Sequence, residues 1–240
     1  VVTWNVHNRF FQQNPEPFRR ILRALRPDVL FLDEVYDATP EDWIRTFLRS
    51  LSPDGKEWTF IRSRSGGWER SLVASHLPLT AAFDEVWHTK ETLDRLGPLL
   101  EPTLPKRSPP RKDLQDGITA AGAFITIGSR TVLATALDLA CCGSLAESLP
   151  NQRREAEVQA VQSIISGAIG SRNVDGVLTG GDFNLVGSRR ALDVLRRNLD
   201  PAGSDLALDD ALRLDNWANW TNGSGPGAPF MRGKLDYVLH

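Results

Sequence analysis

The chain is poor in the residues that build disulfide, zinc and membrane chemistry. Its 240 residues include two cysteines, four histidines and one methionine. Cys141 and Cys142 are adjacent. Neighbouring cysteines rarely bridge each other without strain, so two free thiols are expected and a stapled scaffold is excluded. His7, His76, His88 and His240 share no helical face, and two thiols without spaced partners make a poor zinc site. No apolar run approaches the length of a membrane span, and no signal peptide is visible. Excess charge is missing too. The formal net charge is -2, which leaves no global basic field to hold nucleic acid non-specifically and counts mildly against a tight duplex binder.

What is present is the make-up of one enzyme-sized globular domain. The length fits a single α/β unit, with 41% hydrophobic and 24% charged residues. Helical spacing predicts a helix over residues 15–26, with Phe18, Ile21, Leu22 and Leu25 on one face. A second helix should start at Thr39-Pro40-Glu41-Asp42, capped by Thr39, and bury Trp43, Phe47 and Leu51. Further helices are expected over 153–169 and 189–199, and further strands over 58–64, 72–75, 123–127 and 131–139. Residues 96–116 lack periodicity and read as a loop, with Lys106, Arg107, Arg111 and Lys112 as its basic cluster. That loop, or Arg62, Arg64 and Arg70, could guide a polyanion, although a solvated surface is the commoner role. Trp217 and Trp220 lie in a polar stretch before the last strand, and a pocket-rim or structural role is expected there.

The most informative run is Leu178-Thr179-Gly180-Gly181-Asp182-Phe183-Asn184. An apolar strand empties into two glycines, which let the chain turn tightly and let another group approach without a Cβ in the way. Asp182 and Asn184 follow, spaced to point the same way if the segment stays extended. Their oxygens suit a hard divalent cation, and the amide can donate to a phosphate oxygen. A plain Asp-x-Asn turn is the alternative. Two more strands end in similar groups. Val2-Thr3-Trp4-Asn5-Val6 carries one embedded amide, and Pro27 to Val35 is an apolar run ending in Asp33-Glu34. The Val-Leu-Phe-Leu run before Glu34 reads as buried on both faces, so Glu34 emerges at a ready ligand position. A fourth strand, Lys234-Leu235-Asp236-Tyr237-Val238-Leu239, encloses an acid that needs a partner, either a site or a salt bridge to Arg232 or Lys234.

In that order, these four segments resemble the endonuclease/exonuclease/phosphatase superfamily, from Val2 to Leu239. The resemblance implies a four-layer α/β sandwich, two mixed β-sheets packed face to face with helices outside. It also implies phosphoester hydrolysis dependent on Mg2+ or Mn2+. By the same resemblance Asn5 and Glu34 match the metal-holding residues, and Asp182 matches the acid that positions or deprotonates the attacking water. Asn184 matches the amide that steadies the phosphoryl oxygens, and Asp236 the acid that orients a catalytic histidine further along. Where many relatives carry His-Leu, this chain has Ala134 to Gly143 without a histidine; either Asp138 or Ala136 takes that position, depending on register. The chain begins inside its first strand and stops four residues after Asp236, so a single domain lacking native residues at both ends is expected. The expected activity is a phosphodiesterase, with nucleic acid as the leading substrate. A phospholipid or inositol-phosphate hydrolase, and a degenerate member that only binds phosphate ligands, are the alternatives. A monomer without a membrane span is expected.

Overall fold

In the computed structural model the described residues are 1–52, 54–100, 114–143, 145–208 and 235–240. They form nine strands in two sheets. The first sheet has the order β1-β2-β4-β3, built from β1 (Val2–Asn5), β2 (Val29–Tyr36), β3 (Thr59–Arg62) and β4 (Glu69–Ser75). The second runs β5-β6-β7-β8-β9, from β5 (Leu79–Phe83), β6 (Thr119–Ile127), β7 (Arg130–Asp138), β8 (Gly176–Asp182) and β9 (Asp236–Leu239). Both are mixed: β1 and β2 are parallel, as are β7 and β8, and the remaining pairs are antiparallel. The expected α/β sandwich of two mixed sheets is present.

Alternation along the strands separates three apolar layers. Val29, Phe31, Val73, Ala123, Ala134 and Ala136 fill the space between the sheets. Leu30, Leu32 and Leu72 turn the other way, against helices α1 (Arg9–Gln13), α2 (Pro15–Leu25) and α3 (Glu41–Arg49) through Phe11, Phe18 and Phe47. Leu133, Leu137 and Leu239 pack on α5 (Leu149–Ser171) and α6 (Arg190–Arg196) through Val158, Ile165 and Leu195. A shorter helix, α4 (Lys90–Leu100), adds Leu96 to a satellite cluster with Ala156.

The two glycines of β8 give the close approach expected of them but not a turn: the strand runs through both to Asp182. A Cβ on Gly180 would lie 2.8 Å from the Phe31 ring, so this glycine lets the sheets close on each other. At Gly181, φ is +142° and a Cβ would lie 1.8 Å from the Leu137 carbonyl oxygen.

Local expectations fare unevenly. The helix over 15–26 forms, yet only Phe18 and Leu22 are buried, while Ile21 and Leu25 are 40% and 56% exposed. The aromatic cluster of Trp4, Phe10, Phe11 and Phe18 anchors one narrow stripe of this helix. Thr39 does not cap α3 with its side chain. It is buried, its N–H donates to the Tyr36 carbonyl and its carbonyl accepts from Arg62. Strands β4 and β6 begin earlier than hydropathy predicts, because the polar Ser71 lies between the sheets, donating to Asp33 and to the Thr119 carbonyl.

Gly181→Ala tests the close approach of β7 and β8. Strain plus overpacking should cost about 3 kcal/mol or more, lowering the melting temperature by roughly 6–12 °C for a domain of this size. An unchanged melting temperature would show that the strands can part there at little cost.

Candidate active site

Topology gathers the polar strand ends at one edge of the sandwich. The parallel pairs β1/β2 and β7/β8 end there in Asn5, Glu34, Asp138 and Asp182, while the antiparallel β4 and β9 begin there with Glu69 and Asp236. Carboxyl ends of strands are the usual ligand-binding side of open α/β sheets.

Glu34 is aimed by a local irregularity. The β2–β4 register shifts between Leu32 and Val35, and Glu34 sits at φ 53°. Such a conformation costs a non-glycine residue of order 1–3 kcal/mol and is held only by its surroundings. Here the Asn8 N–H, itself on a residue at φ 61°, donates to the Glu34 carbonyl at 2.8 Å. The Asn5 amide then donates to Glu34 Oε1 at 2.7 Å and to Asp182 Oδ2 at 3.3 Å. Its own oxygen accepts the His7 N–H at 3.0 Å. One side chain thus ties the first sheet's carboxylate to the second sheet's.

Asp182 also accepts the Asn184 N–H through Oδ1 at 2.9 Å. The segment does not stay extended: Asn184 turns at φ 48°. The Asp-x-Asn turn is therefore real, but it occupies one carboxylate oxygen and leaves Asp182 Oδ2 facing Asn5. The Asn184 amide donates to the Leu139 carbonyl at 2.8 Å and stands 3.4 Å from Asp138 Oδ1. Asp138 lies beside Asp182 in the β7–β8 ladder, whereas Ala136 is in the interior between the sheets. Of the two registers, Asp138 is the one at the site. Asp236 is opposite Asp182 across the β8–β9 ladder. All five residues named from sequence, Asn5, Glu34, Asp182, Asn184 and Asp236, thus belong to one edge.

Three residues complete the cluster that sequence did not single out. Asp33, fully buried, receives the Ser71 hydroxyl at 3.1 Å. Glu69 receives the Asn8 amide at 2.5 Å. The acid pair at the end of β2 was a signal for Asp33, but the Asn8–Glu69 contact spans 61 positions and has no local signature.

Crowding of acids out of water is the dominant electrostatic fact. Burial, reinforced by Asp236 and outweighing the bonds from Asn184 and Asn5, pushes the Asp182 carboxyl up to about 7. Burial and the neighbouring Glu34 charge bring Glu69 to about 7 as well. Burial and the surrounding acids hold Asp33 and Asp138 well above the usual carboxylate range. Even so, among the described residues no three His, Cys, Asp or Glu side chains form a ready-made metal cage.

Beside the site, Cys141 and Cys142 form a disulfide, against the expectation of two thiols. The loop that carries them turns at φ 77° for Cys142 and 95° for Gly143, a tight reversal that brings neighbouring side chains together. Arg62 is committed to the Thr39 carbonyl, and Arg64 to Asp84 and Glu85. Lys106, Arg107, Arg111, Lys112, Trp217, Trp220, Arg232 and Lys234 lie outside the described residues. Among the described residues no helix is long and apolar enough to cross a membrane.

The sequence matches the Endonuclease/Exonuclease/phosphatase family over residues 2–240. The chain belongs to this family. No curated protein matches it significantly. Among solved structures, TDP2 from C. elegans is similar at a TM-score of 0.59 and 17% identity, covering 99% of this chain. The chain spans 62% of that protein's length. D. rerio TDP2 in complex with a single-strand DNA product gives a TM-score of 0.56 at 15% identity, covering 99% of this chain and 81% of its own. A mannosyl-6-phosphatase from Bacteroides thetaiotaomicron gives 0.59 at 12%, covering 99% and 83%. These likenesses show the shared family fold.

The raised carboxyl groups have a direct consequence for stability. Asp182 and Glu69 ordinarily titrate near 4, so below that range both the folded and unfolded forms are protonated. Between about 4 and about 7 the folded protein binds more protons, and stability falls as pH rises through that window. In EDTA the melting temperature should therefore drop between about pH 4 and pH 7. A flat or rising profile would mean that the acids are not buried together.

Proposed function

We propose that this family member is a divalent-cation-dependent phosphodiesterase, acting by in-line attack of water, with nucleic acid as its leading substrate class. The observation that carries the reading is the Asn5 amide between Glu34 and Asp182. It holds a ligand-type carboxylate and a base-type carboxylate on opposite sheets at one small site.

The donor set fits Mg2+ or Mn2+. It is made of hard oxygens, and the buried Asp33 Oδ2 has no hydrogen-bond partner among the described residues. Mg2+ takes one or two protein carboxylates and fills its remaining positions with water and substrate phosphate, so a full protein cage is not required. Glu34 and Asn5 would hold it. When bound, the cation would neutralise phosphoryl charge and acidify a nearby water.

The chain's own groups cover the remaining tasks. Asp182, with a carboxyl near neutrality, is suited to hold and deprotonate the attacking water. One Asn184 amide proton is spent on Leu139; the other faces Asp138 at the long distance of 3.4 Å and can turn to a phosphoryl oxygen. The charge of Asp236 increases the basicity of Asp182. A relative solved with a single-strand DNA product favours a nucleic-acid substrate. The competing reading, a member that binds phosphate without turnover, rests on Asp138: an acid beside Asp182, where many relatives carry histidine, would repel a phosphate if ionised.

Turnover separates the two. Single-stranded DNA, duplex DNA, RNA, bis-(p-nitrophenyl) phosphate and a phosphomonoester should be assayed with Mg2+, Mn2+ or EDTA. Metal-dependent cleavage of a diester is expected. Glu34→Ala should abolish it without unfolding the protein, and Asp182→Asn should lower kcat by about a hundredfold or more with little change in KM. Wild-type rates in either variant would remove that residue from the mechanism, and no turnover of any substrate by the folded protein would favour binding alone.

A further inference from the structure

One buried cation lies outside the chemistry described so far. Arg154, on α5, is fully buried. Its Nη1 donates to the Ala140 carbonyl at 2.6 Å and to the Cys142 carbonyl at 2.9 Å. Its Nη2 donates to the Val186 carbonyl at 3.2 Å and to Asn151 Oδ1. Asn151, one turn earlier, adds its own bonds to Val186 at 3.0 Å and to Leu145 at 2.6 Å. One turn later, Glu157 accepts the Ala140 N–H at 2.7 Å and is paired with Arg153. A single face of α5 therefore grips two loops, the one after β7 and the one after β8.

Those loops carry the site. The first leaves β7 at Asp138 and contains the Leu139 carbonyl that holds the Asn184 amide. The second leaves β8 at Asp182 and contains Asn184, and the Val186 N–H closes back on the Asn184 carbonyl at 2.7 Å. The planar guanidinium fork reaches both loops at once, which a lysine ammonium at the end of a flexible stem cannot do with the same geometry. The four hydrogen-bond acceptors named for it are neutral oxygens, and the nearby carboxylates of Glu157 and Asp182 supply the opposing charge.

We propose that Arg154 is a positioning residue: it fixes the loop after Asp138 against the loop after Asp182, and so holds the Leu139 carbonyl where it orients the phosphoryl-steadying Asn184 amide beside the base. Burial lowers the guanidinium to about 10, so it stays charged at neutral pH. The catalytic part of this inference rests on the proposed hydrolase reading; the clamp itself does not.

The test uses the full chain as wild type, Arg154→Lys and Arg154→Met. Hydrogen exchange is followed in peptides covering residues 138–143 and 182–187, beside kcat and KM for bis-(p-nitrophenyl) phosphate with Mn2+. The lysine variant should keep the circular dichroism spectrum of the wild type while both loops exchange faster. Its kcat should fall by about ten- to a hundredfold, the scale of a small misplacement of reacting groups, with KM within about threefold. The methionine variant should show a larger fall in kcat. If neither variant folds, Asn151→Ala removes the brace beside the guanidinium and should give the same split to a smaller degree. A folded lysine variant with wild-type kcat and unchanged exchange in both loops would overturn the proposal. If the wild type itself turns over nothing, the hydrolase reading fails, and the exchange measurement alone decides whether Arg154 clamps the loops.

Discussion

Asp33, Asp138 and Asp182 meet where the ends of the two sheets converge, and a carboxylate taken out of water costs free energy unless it is paired or protonated. Much of the local structure answers that cost. Ser71 donates to Asp33, Asn5 to Glu34 and Asp182, Asn8 to Glu69, and the Asn184 main chain to Asp182. These neutral donors soften the crowding without removing it, since four of the acids remain shifted upward. A cluster of this kind is poised to take up positive charge, whether as protons or as a cation.

The fold creates the crowding as a consequence of strand direction. Two parallel pairs end at the same edge, and each of their neighbours begins there. Small residues between the sheets, Ala134, Ala136 and Gly180, let the two halves approach closely enough for Asn5 to reach Asp182. The strain gathered at Asn8, Glu34 and Asn184, each at positive φ, follows from aiming short side chains inward from strand ends. Arg154 closes the arrangement from behind, where helix α5 faces the loops that follow Asp138 and Asp182.

Strand ends were legible in sequence because an apolar run that stops at an acid or amide is a local pattern. This is why Asn5, Glu34, Asp182, Asn184 and Asp236 could be named from residues alone, and why the structure brings them together. Asp138 could be narrowed only to a choice with Ala136, since strand parity places both on one face and only the ladder with β8 decides which reaches the edge. Asn8 and Glu69 depend on a contact between distant segments and leave no local trace. Arg154 did leave one: it lies four residues before the buried Val158, and Asn151 seven before it, so both interrupt the apolar stripe of α5. The disulfide was misjudged because adjacency argues against bridging in general, while the positive φ at Cys142 is a property of the folded loop.

The proposed function requires these acids to receive a divalent cation. The most direct measurement is a calorimetric titration with Mn2+ at about pH 6, repeated in two buffers of different ionisation enthalpy. If carboxyl groups near neutrality surround the site, the cation must displace their protons, and the apparent heat will depend on the buffer. Saturable binding with proton release is expected, both lost in Glu34→Ala. Binding that is buffer-independent and unchanged in that variant, or no binding at all, would contradict it.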